Sequence, residues 1–470
     1  MVFDKLYLFS FAWSTARILH ALSFPERVNA QHPFELAAAL AAAGVILFPN
    51  VVWIFFLMLC FSVSNTLSWM PYEPNHLTLE LITNVGILLA LTGALVRNYR
   101  PGGPQLALDS PLARGLLLDS FAPFVRINLL LLYFFAVVHK LNWDFFNVGI
   151  SCSSVLMQGF AQRFPFLPQS ESAHWAAVWG TLAVEASIPI FLCFRRTRPA
   201  AILLGAGFHY FLSVHPHAGL YSFSALLFAL YTLFVPADFP EKVLQLARAL
   251  FGRAQQRAAF ALRAVIFTAV VGLIALATQG HARLWMGFLL WLGWGLLLAV
   301  TYVLVLSKNK FRFESRAALF GVWPAAFYLV PVLVVFNGLN PYLGLRTENS
   351  FSMFSNLRTE GGISNHLFLA HVPQLFDYQH DLVDIVDTNL GDYKGFIANN
   401  ELITYFEFQR IAARTKRDFY VKFIRNHRLQ TVRVVGGVSS QPGLTTPHFW
   451  LADKFLHFRP VDKGPCLCKH

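Results

Sequence analysis

Apolar stretches of about 20 residues, the length a helix needs to cross the hydrocarbon core of a bilayer, recur along the first three-quarters of this sequence. A dedicated signal or anchor segment would produce only one such stretch. Composition agrees: 56% of the 470 residues are apolar and only 13% are charged, which is the balance of a membrane protein. The opening MVFDKLYLFSFAWSTARILHALSF lacks a small-residue cleavage pattern and reads as a retained first helix. Segments at 6–24, 34–49, 51–70, 76–96, 121–142, 174–194, 199–215, 218–236, 258–279, 283–306 and 317–339 are expected to lie in the membrane. Because only Asn50 parts 34–49 from 51–70, these two are also open to reading as a broken or re-entrant pair. The expected fold is an all-α polytopic transmembrane bundle of about 9 to 11 spans.

A formal charge of +12 raises the question of nucleic acid, but the basic residues fall in short runs between apolar segments, where topology accounts for them. No nucleic-acid partner is expected. Clusters occupy alternate loops: Arg97, Arg100 and Arg114; Arg195, Arg196 and Arg198; Lys242, Arg248, Arg253 and Arg257; Lys308, Lys310, Arg312 and Arg316. These loops should face the cytoplasm, whereas 143–173 and 279–282 carry few cations and should face out. That alternation puts the N-terminus inside and the C-terminal segment outside. After NPYLGLRTENS, charges and turn residues rise, so a transmembrane domain of 1–345 is expected to precede a small extracytoplasmic α+β domain of 346–470. Within it, 401–414 (ELITYFEFQRIAAR) has helical spacing, while FYVKFIRN and LQTVRVV alternate as paired strands around a turn at Asn426 and His427. The five cysteines are scattered, which suggests neither a disulfide framework nor a four-ligand zinc site, and no metal is expected.

An ionisable side chain at membrane depth is costly unless paired or hydrated, so each is a candidate for function. The helix RINLLLLYFFAVVHKLN starts at Arg126 and ends at His139 and Lys140, about 21 Å further along at 1.5 Å per residue. Glu185 lies mid-segment in the next apolar stretch, His209 lies within GFHYFLSVHPH, and Asn75 and His76 open the segment 76–96. The loop charges put Asn75, His76, Lys140 and His209 toward the same leaflet from three different helices. An amine removed from water gives up its proton more readily, which is what a base requires, and His and Asn side chains can hold it. Plainer readings stand beside these: a helix-end lysine snorkels to the interface, Glu185 bonds a neighbouring helix, and His209 is a satisfied core histidine. His215 and His217, flanking Pro216, read as loop residues rather than metal ligands, and Tyr133, Phe134 and Phe135 as packing or lipid contacts.

At these residues the sequence resembles the vitamin K-dependent gamma-carboxylase family and its bacterial relatives, the horizontally transferred transmembrane domain proteins. The family's helix with Arg, Gln two positions on, a Tyr-Phe-x-Ala step and a Lys fourteen positions after the Arg is similar to Arg126, Asn128, Tyr133, Phe134, Ala136 and Lys140. Its Asn-His pair resembles Asn75 and His76, its Phe-His pair Phe208 and His209, and Glu185 in VEASIP stands where relatives carry an acid followed by a helix break. The resemblance implies that Lys140 is the catalytic base, that Asn75 and His76 orient or deprotonate it, and that His209, Tyr133 and Asn128 support the quinone. It further implies reduced vitamin K as cofactor with O2 and CO2 as co-substrates, epoxidation of the naphthohydroquinone, and carboxylation of glutamate in an exported protein or peptide. Asn128 stands where the family has Gln, His139 where animal enzymes have a second Lys, and the outer segment is short. A bacterial inner membrane or the endoplasmic reticulum is the expected location, with membrane lipid and quinone as partners. The competing class is a non-catalytic membrane scaffold or transporter that keeps the fold.

Overall fold

Helices in this chain start and stop where its polar punctuation falls. In the computed structural model, which describes residues 3–108, 110–252, 255–308, 311, 313–371 and 374–469, Asp4 caps the first helix by accepting the Tyr7 amide at 2.7 Å. Of the loop cations counted above, Arg253, Lys310 and Arg312 lie outside the described residues. The helices are α1 (Lys5–Ser23), α2 (Pro33–Leu47), α3 (Val52–Trp69), α4 (Asn75–Tyr99), α5 (Pro111–Lys140), α6 (Cys152–Arg163) and α7 (Glu171–Leu192). There follow α8 (Arg198–Ser213), α9 (Ala218–Tyr231), α10 (Phe239–Phe251), α11 (Gln255–Thr278), α12 (Leu284–Lys308), α13 (Arg316–Phe320) and α14 (Leu329–Leu343).

Among the described residues, seven helices are long and apolar enough to cross a membrane: α3, α4, α5, α7, α11, α12 and the stretch Ala325–Leu343 that ends in α14. The protein is an integral membrane protein built as a polytopic helical bundle with a small sheet-bearing C-terminal part. The remaining expected segments also form helices, but α2, α8 and α9 have only 15, 16 and 14 residues, and α1 carries Lys5, Arg17 and His20. The segments expected at 34–49 and 51–70 form two helices, α2 and α3. Two local expectations change. The expected span 317–339 is interrupted after α13, where Gly321 ends the helix and Pro324 offers no backbone donor. The loop 143–173, expected to face out, contains α6, and α7 runs on through Pro189 with no break after Glu185.

The chain gathers into two compact units: Met1–Ser68, Leu79–Tyr133 and Ala183–Val334 form the first, and Trp69–Thr78, Phe134–Leu182 and Val335–His470 the second. In the first unit, α1 is buried along almost its whole length and packs on α2, α9 and α12. Its polar side chains are met from neighbouring helices. Arg17 pairs with Glu35 at 2.6 Å, Asn65 donates to the same carboxylate at 2.5 Å, Trp13 donates to Asn84 at 3.0 Å, and His20 meets Ser222 at 3.2 Å. Arg17, Glu35 and Glu80 are all buried within expected spans, so the set of intramembrane ionisable groups is larger than the sequence reading recognised. Mutual pairing is how such groups are tolerated at that depth.

In the second unit the C-terminal segment folds as a six-stranded antiparallel sheet in the order β5-β4-β3-β1-β2-β6. Its strands are β1 (Leu382–Thr388), β2 (Glu401–Thr404), β3 (Phe419–Arg425), β4 (Arg428–Val435), β5 (Val438–Ser439) and β6 (Val461–Asp462). Helices α15 (Gly391–Ala398), α16 (Tyr405–Arg414) and α17 (Trp450–Phe455) complete it. The expected hairpin is present: β3 and β4 pair from Phe419↔Val434 to Arg425↔Arg428, and Asn426 and His427 both take positive φ (50° and 60°), as a two-residue turn of this hand requires. Alternation sends Phe419, Val421 and Phe423 into the core with Val432, Val434 and Phe408. The expected helix 401–414 is shorter than its periodicity suggests. Residues 401–404 pair with β1 and β6, and the Thr404 hydroxyl, accepting the Glu407 amide at 3.4 Å, starts α16 instead.

The cysteine expectation is overturned: Cys152 and Cys468 form a disulfide across 316 residues. Sequence spacing is silent on a bridge between such distant positions. Around it, Asn356 donates to the Cys466 carbonyl at 2.8 Å and accepts the Cys152 amide at 2.8 Å, and Asp144 accepts the Cys466 amide at 2.9 Å.

Glu407 is the electrostatic centre of the α16 region, accepting from Arg410 at 2.6 Å and from the Phe458 amide at 2.9 Å, with His457 at 3.0 Å. Burial pushes its carboxyl up, but the hydrogen bonds and charges of His457, Arg410 and Phe458 outweigh burial and hold it below the ordinary range. A depressed folded value contributes stability above the unfolded value of about 4.3, which is lost as pH falls through the folded value. Acid titration of unit-two unfolding is expected to show this loss below about pH 4.3, and Glu407→Gln to flatten it. An unaltered acid limb in that variant would contradict the assignment.

Candidate functional site

The second unit contains Lys140, Asn75 and His76. Helix α5 ends at Lys140 because Asn142 redirects the chain: its amide donates to the His139 carbonyl at 2.7 Å and to the Ser355 carbonyl at 2.6 Å, and its oxygen accepts the Phe145 amide at 2.8 Å. Lys140 is 3% exposed, with its Nζ donating to the Ala136 carbonyl one turn back at 3.2 Å. A snorkelling lysine would extend its ammonium outward, and this one folds back along its own helix. Beside it, His139 is fully buried, with Nε2 3.1 Å from the Gly338 carbonyl. Gly338 is required there, because the Phe135 ring occupies the space a Cβ would need.

Asn75 opens α4, and its side-chain oxygen accepts the Phe351 amide at 2.8 Å. Neighbouring Asn349 donates to the Pro71 carbonyl at 2.7 Å, and His76 is buried at 4% exposure. Asn75 thus anchors the 349–351 backbone. His366 contributes a further imidazole, its Nε2 3.1 Å from the Val138 carbonyl, and burial lowers its proton affinity.

The first unit holds the other expected residues. Tyr133 and His209 are brought together: the phenol oxygen lies 2.7 Å from His209 Nε2 and 2.5 Å from the hydroxyl of Tyr231. These form a continuous hydrogen-bonded chain on α5, α8 and α9. Tyr133 is therefore more than packing, and Glu185 acts on it electrostatically within the same unit. Asn128, fully buried, donates to Thr83 at 3.1 Å while its side-chain oxygen has no hydrogen-bond partner among the described residues. Arg126 is a structural cation, donating to the carbonyls of Leu233 and Leu319 at 3.0 and 2.9 Å. His217 donates its backbone amide to His215 Nδ1 at 3.0 Å, the local turn role expected of that pair.

Sequence reasoning missed Tyr231 and Thr83. The signal for Tyr231 was a single phenol in the apolar run SALLFALYTLF, and the partner signal was Gly205, whose absent Cβ leaves room for the Tyr231 hydroxyl. Gly205→Ala is expected to push Tyr231 away from Tyr133 at a cost of about 1–3 kcal/mol, read as a lower unfolding temperature in detergent. Gly207→Ala, where a Cβ meets open space, is the neutral control. Equal effects of the two would contradict the packing described.

Comparison with known proteins places one landmark on this geometry. Residues 121–239 match the HTTM domain, which is found in vitamin K-dependent gamma-carboxylases. The matched stretch contains Asn128, Tyr133, Lys140, Glu185, His209 and Tyr231. No curated protein and no solved structure matches the chain.

Proposed function

We propose that this chain is a membrane-embedded enzyme of the gamma-carboxylase type, which oxidises a reduced naphthoquinone to its epoxide and carboxylates glutamate in an exported acceptor. The observation that carries the proposal is the burial of Lys140 at the end of α5, inside the stretch that matches the HTTM domain. Lys140 Nζ is assigned as the proton acceptor, supported by His76, while Asn75 fixes the adjoining backbone. On the first unit, Tyr133 and His209 are assigned to the quinone oxygens. The orphaned Asn128 oxygen fits a hydroquinone, because a buried acceptor of that kind gains most from a hydroxyl donor. When bound, the reduced quinone would be oxidised by O2, and that oxidation would supply the strong base that removing a glutamate γ-proton demands, while CO2 would supply the new carboxylate. Each unit's own part is to keep its assigned side chains buried away from water.

The same reading places the second unit's 143–173 loop and C-terminal sheet on the extracytoplasmic side. The sparse cations of that loop support this, and so does the Cys152–Cys468 disulfide, since such bonds persist in oxidising compartments. A non-catalytic scaffold is the second reading, favoured by one observation: the Asn75 oxygen is already committed to the Phe351 amide. The discriminating experiment supplies purified, reconstituted protein with reduced vitamin K, labelled bicarbonate and a glutamate-rich peptide. Label fixed in the peptide supports the enzyme. Epoxide without fixed label reduces the function to quinone oxidation, and neither product leaves the scaffold.

A further inference from the structure

Helices α1 to α4 bring together, inside the first unit, a polar group with more acceptors than donors. Arg17 on α1 meets Glu35 Oε2 on α2 at 2.6 Å, and the Asn65 amide on α3 donates to that same oxygen at 2.5 Å. The second oxygen of Glu35 has no hydrogen-bond partner among the described residues, and neither has the Asn65 side-chain oxygen or the hydroxyl of Ser62, one turn back on the same face of α3. Glu35, Ser62 and Asn65 are each only 1% exposed. The orientation of Asn65 is fixed chemically, because its nitrogen and not its oxygen bonds a carboxylate. From α4 comes Glu80, also buried, which accepts from Asn84 at 3.3 Å and feels the charges of both Arg17 and Glu35. Trp13 holds Asn84 in turn, donating to its side-chain oxygen at 3.0 Å.

With both carboxylates ionised, the single guanidinium leaves one negative charge in excess, and buried acceptors without donors are costly in their own right. Water would satisfy the three orphaned oxygens but not the charge. An anion or a further carbonyl would add acceptors to a place that lacks donors. Oxygens from carboxylate, amide and hydroxyl groups suit a hard cation. A divalent ion would overshoot the single excess charge beside Arg17, and among the described residues no three His, Cys, Asp or Glu side chains gather as a metal site. We propose that α1 to α4 bind one monovalent metal cation of the sodium kind, held by the free oxygens of Glu35, Asn65 and Ser62 and balanced in charge by Glu80. Lys140, Asn75 and His76 belong to the second unit, so the cation site stands or falls independently of the chemistry assigned to them.

The test compares thermal unfolding of the full-length protein, reconstituted in lipid nanodiscs, in sodium chloride and in choline chloride of equal ionic strength. Sodium is expected to raise the unfolding temperature by about 3–6 °C, the shift that a ligand produces at about ten times its Kd. Ser62→Ala should at least halve that difference, and Glu80→Gln should abolish it. In choline, Ser62→Ala should unfold with the wild type, because the hydroxyl it removes has no partner within the protein to lose. Glu35→Gln should also abolish the sodium effect, and where its weakened pairing with Arg17 prevents folding, Ser62→Ala and Glu80→Gln carry the comparison. Equal unfolding temperatures of the wild type in the two salts mean that water meets the oxygens or that Glu80 holds a proton, and overturn the proposal. A sodium shift that survives in Ser62→Ala and Glu80→Gln places the cation elsewhere and overturns it as well.

Discussion

Lys140→Ala is expected to lower turnover of reduced vitamin K by about 10²- to 10⁴-fold, the range a positioned general base contributes, while the protein still inserts and purifies as a folded species. The decisive companion is Lys140→Arg. It preserves the positive charge and much of the stem that lies against α5, but a guanidinium does not release its proton in a protein and cannot serve as a base. If Lys140 acts as the proton acceptor, Arg is as inactive as Ala. If its role is to place a charge or fill space, Arg restores most of the turnover and the catalytic assignment fails. His76→Ala should give a smaller loss, with a pH–rate profile displaced from that of the wild type, if as proposed it supports Lys140 rather than touching substrate.

Removal of the Cys152–Cys468 bridge is expected to cost about 2–4 kcal/mol, expressed in the second unit. Cys468→Ser, Cys152→Ser and reductant-treated wild type should all unfold at the same lowered temperature, and Cys466→Ser should change it little. The specificity of that set matters, because Cys466 lies two residues from the bridge and is buried, with Arg459 3.5 Å from its sulfur. Burial pushes that thiol up, which keeps it a poor nucleophile for exchange. A larger effect from Cys466→Ser than from Cys468→Ser would show that the tail pairs differently. The bridge also fixes the start of α6, twelve residues beyond Lys140.

What the sequence made legible follows the range of each physical signal. Helices in the membrane part and the β3–β4 hairpin were readable because their information is local: apolar periodicity for the former, and two residues tolerant of positive φ between alternating strands for the latter. Residues 401–404 were misread as helix because their strand character comes from pairing with β1 and β6, and no window centred on them contains those partners. The disulfide was missed for the same reason, its two cysteines being 316 residues apart. Lys140 and His209 stood out as costly groups in apolar runs, yet Arg17, Glu35 and Glu80 bear the same mark and were overlooked. Cost alone does not separate a group paired for stability, as Arg17 is with Glu35, from one held for chemistry. Tyr231 became visible only when the fold set its hydroxyl against Tyr133.

The proposed function rests on the buried Lys140 amine, and the most direct measurement is epoxide formation from reduced vitamin K by the purified wild-type protein under controlled oxygen. The account predicts saturable, oxygen-dependent epoxide production that vanishes equally in Lys140→Ala and Lys140→Arg. Epoxide at the level of a heat-inactivated control, or a rate indifferent to the residue at position 140, would contradict it.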